Sequence, residues 1–273
     1  MKMKYLLLLI TISLITSQSI FPQNKLLFTP LSANVFEPRV GALYQFQDKK
    51  LRLDIGTSVD LIELLKNEDT EIRFGTDFFT FTRLRSEGRM KFPVETSDYF
   101  FGVNFSNKFK YQGLDLSSRL RIAHISSHLV DGLSNDGNFD RLPFVYSREF
   151  VDYVVAADIN GFRPYAGFDF VFSTKPKDVN KVIPQLGIEF QLKTLKTATR
   201  DFLEIRLAYD FKLTGYEQTY LPVHSVELNF FFPTSENIGI ALNLNGYTGP
   251  SMHGMFYKDK DRYISTGFQI IFY

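Results

Sequence analysis

His124, Ser126 and Glu149 are the residues whose types and spacing could do chemistry. The first two lie two apart in LDLSSRLRIAHISSHLVD (114–131), and residues two apart in an extended strand share a face. An imidazole held beside a hydroxyl can take its proton and make it a nucleophile, provided an acid orients the ring. Leu114, Leu116, Ser118, Leu120, Ile122, His124, Ser126 and His128 share one face; Asp115, Ser117, Arg119, Arg121, Ala123, Ile125 and Ser127 share the other. The imidazole and hydroxyl therefore end the apolar stripe rather than the charged one. In the next segment, 144–159, the odd-numbered stripe is Val145, Ser147, Glu149, Val151, Tyr153, Val155, Ala157 and Ile159, and a carboxylate interrupts it. If the hairpin closes around Asp136 and Gly137, Glu149 lies nearly opposite His124, with Cβ atoms about 5 Å apart. His124 is then the base, Ser126 the nucleophile and Glu149 the orienting acid, with Ser127 and backbone N–H groups as candidate oxyanion donors.

The elements that position these residues are strands. From about Arg39 the chain falls into segments of roughly ten residues with period-two alternation, separated by turn clusters, the pattern of a transmembrane β-barrel. Phe202 to Leu213 is one clear case: Leu203, Ile205, Leu207, Tyr209, Phe211 and Leu213 alternate with Glu204, Arg206, Asp210 and Lys212. The pattern predicts about twelve strands, near 39–47, 51–62, 71–85, 98–109, 114–128, 144–159, 162–174, 181–193, 202–214, 224–233, 236–248 and 261–273. Long connections at 86–97, 129–143, 174–180, 215–223 and 249–260 then fall at one end and tighter ones at the other, as in outer-membrane barrels, with Asp48-Lys49-Lys50 the exception, short where a long one is expected. With both termini periplasmic, the fifth strand runs outward and carries His124 and Ser126 to the outer leaflet, facing lipid, where polar groups default to a functional reading. Arg119 and Arg121 face the lumen and are expected to pair with acids such as Asp152 or Glu189.

Residues 1–19 read as a secretory signal peptide: two lysines, an apolar run from Tyr5 to about Ile15, then small and polar residues. A signal anchor is disfavoured because the run is shorter than the roughly 20 residues a span needs. A lead-in follows at 20–38, and a barrel at 39–273. The absence of Cys excludes disulfides and a lipoprotein anchor, and a net charge of +1 gives no electrostatic case for nucleic acid. The four histidines, 124, 128, 224 and 253, fall at or beyond the outward end, so a metal site is conceivable but lacks tight ligand spacing. No cofactor is called for, and calcium is left open. The final Tyr273, after GFQIIF, is similar to the C-terminal aromatic read by barrel-insertion machinery.

Two resemblances follow from these residues. His124-Ile125-Ser126 resembles the His-x-Ser signature of two outer-membrane lipid hydrolase families, the lipid A deacylase and phospholipase A, and this likeness covers the hairpin 114–159. Both families hold the pair on the lipid face of one strand with an acid or amide partner on the next. The deacylase has Asn after its Ser where this chain has Ser127. A second resemblance spans nearly the whole mature chain: PLSANVFEPR (30–39), HISSHLVD (124–131), YSREF (146–150), RPYAGFDF (163–170) and HGMFY (253–257) are similar to the blocks of a family of exported bacterial proteins of unknown function. That family's Gly-Asp-Glu after His-Leu appears here as Val130-Asp131-Gly132. This resemblance implies an exported barrel and no particular chemistry.

The expectation is an outer-membrane barrel of about twelve strands, with a candidate serine acyl-hydrolase site facing lipid or lipopolysaccharide. The alternative is a non-enzymatic barrel: a channel, or a structural or surface-binding protein using loops 129–143 and 249–260. Oligomeric state is not legible in the sequence.

Overall fold

The computed structural model describes residues 26–135, 138–197, 201–234 and 238–272. The signal segment, the hairpin tip at Asp136 and Gly137, and the terminal Tyr273 lie outside the described residues. Twelve strands close into an antiparallel barrel: β1 (Val40–Gln45), β2 (Lys50–Lys66), β3 (Thr70–Arg85), β4 (Val94–Tyr111), β5 (Leu114–Leu129), β8 (Tyr146–Asp158), β9 (Phe162–Lys175), β10 (Val182–Lys196), β11 (Asp201–Tyr216), β12 (Thr219–Pro233), β13 (Ile238–Pro250) and β14 (Lys260–Phe272). Two short strands, β6 (Ser134–Asn135) and β7 (Asn138–Phe139), pair within the connection between β5 and β8. No α-helix occurs among the described residues. The expected twelve-stranded barrel is borne out, and β1 pairing with β14 closes it.

The alternation decides which side each residue takes, and the result is inverted relative to a water-soluble protein. Phe78 and Leu186 are 60% and 57% exposed on the outside, while Arg52 and Arg121 are 2% and 1% exposed inside. Ile122, Phe168, Phe172, Leu192, Leu242 and Phe268 continue the outer belt. An apolar surface of this extent is stable only against hydrocarbon, and the closed ladder leaves no unpaired edge to meet it.

One connection departs from expectation. The 215–223 segment is not a long loop: β11 and β12 run on to Tyr216 and Thr219 and join through Glu217 and Gln218, with φ of 53° and 62°. Two positive-φ residues form the tight turn whose twist matches the flanking strands, so the pairing extends beyond where polar composition suggested it ends.

The lumen is filled from both ends. Residues 26–39 enter at the end of the short turns and pack inside, with Leu27, Phe28, Leu31 and Ala33 buried. Four wall strands, β2, β5, β10 and β12, hold this segment through the following contacts. The Leu27 N–H donates to Asp60 (2.7 Å), that of Ser32 to Glu189 (2.6 Å), and Arg52 donates to the Val35 carbonyl (2.9 Å). Arg39 donates to Glu227 at 3.1 Å. Glu37 takes Arg119 at 2.5 Å and Arg121 at 2.9 Å, both from β5. Of the acids expected to pair with the two arginines, Asp152 pairs with Arg119 and Glu189 with neither, while Glu37 stands nearer than either. Asp152 and Asp77 stand farther off, at 3.7 Å from Arg119 and 3.4 Å from Arg121, and Glu189 is engaged by Ser32 and by Arg163 at 2.8 Å. The acid that matters is 82 residues away in sequence and comes from a segment with no strand pattern of its own.

From the other end, the connection between β13 and β14 folds inward around a single 3-10 turn, Gly254–Phe256, burying His253, Met255 and Phe256. The Phe256 ring lies between two guanidinium groups, with Arg83 at 3.4 Å and Arg141 at 4.3 Å from its centroid. At the rim, Lys258 pairs with Asp178 at 2.7 Å and Glu217 at 2.8 Å, and the Tyr257 hydroxyl donates to Asp178 at 3.0 Å. Partial burial and the adjacent carboxylate push the Tyr257 phenol up to about 12. A small cavity of about 50 Å³ remains between the two inward segments, bordered by Phe36, Arg148, Lys212, Met252 and Tyr257.

Candidate active site

Four neighbouring strands, β4, β5, β8 and β9, present the candidate residues in two parallel rows on the outside of the barrel. In the first row Phe101, His124, Glu149 and Ser173 lie directly opposite one another across the ladders. In the second row, one strand pleat closer to the long connections, the order is Tyr99, Ser126, Ser147 and Lys175. The pairing needs no special backbone on β5; unbroken alternation from Leu114 carries His124 and Ser126 outward together.

His124 Nδ1 lies 2.8 Å from Glu149 Oε1, a hydrogen bond between directly paired residues. The two side chains are 27% and 30% exposed, so the bond is reachable from outside. Glu149 also accepts a hydrogen bond from Ser173, and the imidazole lies on the Phe101 ring with centroids 4.7 Å apart. Ring orientation is thus set from two sides: a carboxylate fixes one nitrogen and an aromatic face fixes the plane. With Nδ1–H donating to Glu149, Nε2 is left as the acceptor. Ser126 is half-buried on the same outer face two residues on.

Ser127 does not belong to this group. It faces the lumen, 2% exposed, and its hydroxyl accepts the Met255 N–H at 3.1 Å and lies 3.4 Å from the Thr96 hydroxyl. A strand turns each successive side chain to the opposite face, so a residue adjacent to Ser126 cannot offer its hydroxyl to the same substrate. Ser127→Ala is accordingly expected to cost about 1 kcal/mol of stability, read as a lower urea midpoint, with little effect on any reaction at Ser126.

Behind the two rows the barrel wall is braced from inside, a feature sequence reasoning missed. His253 Nδ1 lies 2.7 Å from Asp98 Oδ2, and the Gly254 N–H donates to Asp98 Oδ1 at 2.8 Å. Asp98 precedes Tyr99 on β4, and Ser127 follows Ser126 on β5, so the inner segment grips the strands that carry the outer row. His253 lies at the end of the long connections, as expected, but is folded into the lumen and 2% exposed. Gly254 allows the close approach: a Cβ there would meet the Tyr146 ring at 2.2 Å. The HGMFY block held the signal, but nothing in a linear reading points its histidine at β4. His128 completes β5 and packs edge-on to Tyr99 at 5.8 Å, while His224 bonds the Tyr209 hydroxyl at 2.7 Å. Among the described residues no group of three or more His, Asp or Glu side chains is placed to hold a metal ion.

The fold defines a closed twelve-stranded barrel of the outer-membrane class, with a filled lumen and a polar cluster on an apolar exterior. The chain belongs to the family described as protein of unknown function (DUF1207), which matches residues 75–272. No curated protein matches it. Among solved structures it is similar to outer membrane phospholipase A from Escherichia coli, with a TM-score of 0.56 and 12% identity, covering 87% of this chain and 92% of that one. It is also similar to the Salmonella typhi outer membrane phospholipase, solved as a dimer with bound calcium, with a TM-score of 0.54 and 11% identity over 92% and 93% of the two chains. LpxR from Salmonella typhimurium is more distant, at a TM-score of 0.39 and 10% identity over 82% and 88%. At these identities the likeness is one of fold.

Proposed function

We propose that this protein is an outer-membrane serine acyl-hydrolase that cleaves lipid esters at its lipid-facing surface, with Ser126 as nucleophile, His124 as base and Glu149 as the acid that orients it. The observation that carries the reading is the 2.8 Å bond between His124 and Glu149, made outside the barrel on the face that bears Ser126. A carboxylate and an imidazole facing hydrocarbon are costly unless they are used, and the lumen already offers polar surroundings in which such a pair could have been placed. Residence in the outer membrane, lipid or lipopolysaccharide against the belt, and delivery by barrel-insertion machinery belong to the same reading.

The reaction follows from the atoms. Ser126 Oγ attacks the ester carbonyl carbon as its proton passes to His124 Nε2, while Nδ1–H donates to Glu149, which stabilises the imidazolium. The carbon–oxygen bond to the alcohol breaks, and the alcohol oxygen takes the proton from Nε2. A water, deprotonated in turn by His124, releases the fatty acid and restores Ser126. A channel is less well supported, because inward segments occupy the lumen from both ends.

Incubating the refolded full-length protein with an alkyl fluorophosphonate and mapping the adduct by peptide mass spectrometry tests the reading. Labelling at Ser126, lost in His124→Asn, is the expected result; no adduct, or labelling spread over Ser126, Ser147 and Ser173 alike, would overturn it.

A further inference from the structure

The row that holds Ser126 does not end there. Ser147 lies directly across from Ser126, and Lys175 directly across from Ser147. Adjacent strands are about 4.8 Å apart, so the Lys175 Cα stands about 10 Å from that of Ser126. Its flexible stem lets the ammonium reach on the order of 6 Å back along the row. In a glycerophospholipid five bonds, roughly 6 Å, separate the sn-2 ester carbonyl carbon from phosphorus, and six bonds the sn-1 carbonyl carbon. A carbonyl placed at Ser126 therefore brings the phosphate over Ser147 and within reach of Lys175.

The charges around Lys175 leave it available. It is exposed and has no ion pair or side-chain hydrogen bond among the described residues. Glu149 sits diagonally on the neighbouring row, engaged by His124 and Ser173. Asp178, three residues on, is held by Lys258 at 2.7 Å. Ser147 has a half-buried side chain on the same face, and its carbonyl is tied to the Thr174 hydroxyl at 3.1 Å, which fixes the strand end that carries both residues. Below the two rows the face becomes apolar, with Ile122 47% exposed and Phe170 44% exposed, as acyl chains would require.

We propose that Lys175, with the Ser147 hydroxyl beside it, binds the phosphate of the lipid whose acyl ester Ser126 attacks. This rests on the acyl-hydrolase reading and adds a specificity subsite to it. Lys175 is a point charge at the membrane interface, suited to a phosphate oxygen that stays near water while the ester sinks toward the hydrocarbon.

The test compares wild type, Lys175→Gln and Lys177→Gln on dipalmitoyl phosphatidylcholine and dipalmitoylglycerol in mixed micelles. The ratio of kcat/KM for the phospholipid to that for the diacylglycerol is expected to fall about tenfold in Lys175→Gln and to stay at the wild-type value in Lys177→Gln. An equal fall in both variants would assign the effect to diffuse surface charge, and no fall in either would remove the subsite. A second arm measures binding of a diether phosphatidylcholine, which cannot be hydrolysed, by full-length Ser126→Ala protein with and without Lys175→Gln. A loss of affinity of about tenfold is expected, and unchanged affinity overturns the proposal even if no ester is ever cleaved. Competition by inorganic phosphate separates the sources: displacement of the ether lipid only in proteins retaining Lys175 is expected, whereas phosphate binding with no lipid binding would reject a lipid subsite. Absence of hydrolysis on every substrate, with the binding arm positive, counts against the hydrolase reading alone.

Discussion

Ser126→Ala is expected to lower lipid-ester hydrolysis about 1000-fold or more, with the barrel still formed. Removing the hydroxyl removes the only atom that becomes covalently bound to the acyl group in the proposed reaction, so only the smaller acceleration that binding gives to attack by water remains. His124→Asn should fall almost as far, because the proton then has no acceptor, and the double variant should be little worse than either single one. Glu149 acts through His124, with its oxygen 2.8 Å from Nδ1. Glu149→Ala is therefore expected to cost about 100-fold or more, and Glu149→Gln not to rescue it, since the amide N–H can donate to Nδ1 and hold the imidazole in the wrong tautomer. The readouts are steady-state hydrolysis of a dispersed ester and far-UV circular dichroism of the same samples. Full activity in Ser126→Ala, with a formed barrel, would exclude the mechanism.

The second large effect concerns the lumen. Glu37→Gln is expected to destabilise the barrel by about 3 kcal/mol at neutral pH, because Arg119 and Arg121 would be left buried without the carboxylate that each now touches. Burial by itself would raise the Glu37 carboxyl, but the two guanidinium groups outweigh it and hold the group at about 2, against an ordinary 4.5. A carboxyl whose folded-state value lies below its unfolded one contributes in full above pH 4.5 and loses that contribution as the pH falls toward 2. The difference corresponds to about 3 kcal/mol, which agrees with the cost of removing one partner of a buried pair. Urea unfolding of wild type and Glu37→Gln across this range checks both the size and the sign. The gap between the two stability curves should be widest near neutrality and close toward pH 2. A gap independent of pH would mean that the variant acts through packing and not through charge.

The same segment braces the barrel from inside. Glu37, Arg39 and the Val35 carbonyl bind β5, β12 and β2 respectively, tying together strands far apart around the circumference. From the opposite end His253 and Met255 bind Asp98 and Ser127. Their contacts stand directly behind the Ser126 row, so stiffness at the outer surface depends on an inner segment that never meets lipid.

Local pattern was enough for much of this. Strand placement, face assignment and the pairing of His124 with Glu149 all follow from period-two alternation and a hairpin connection, interactions between chain neighbours that leave a linear trace. Local pattern also put Ser127 on the inner face from the start, and naming it an oxyanion donor ran against that parity. Where local polarity misled was at 215–223, because a turn needs only two residues of suitable φ and the flanking polar ones can still pair. What only the tertiary structure decided was where the unpatterned segments go. Residues 26–39 and 251–259 have no periodicity, and their positions are set by buried ion pairs and hydrogen bonds across 82, 155 and 188 residues of sequence. His124, Ser126 and Glu149 are therefore brought to one face by the chain's own alternation, while the filled lumen behind them comes from charge matching that exists only once the barrel has closed.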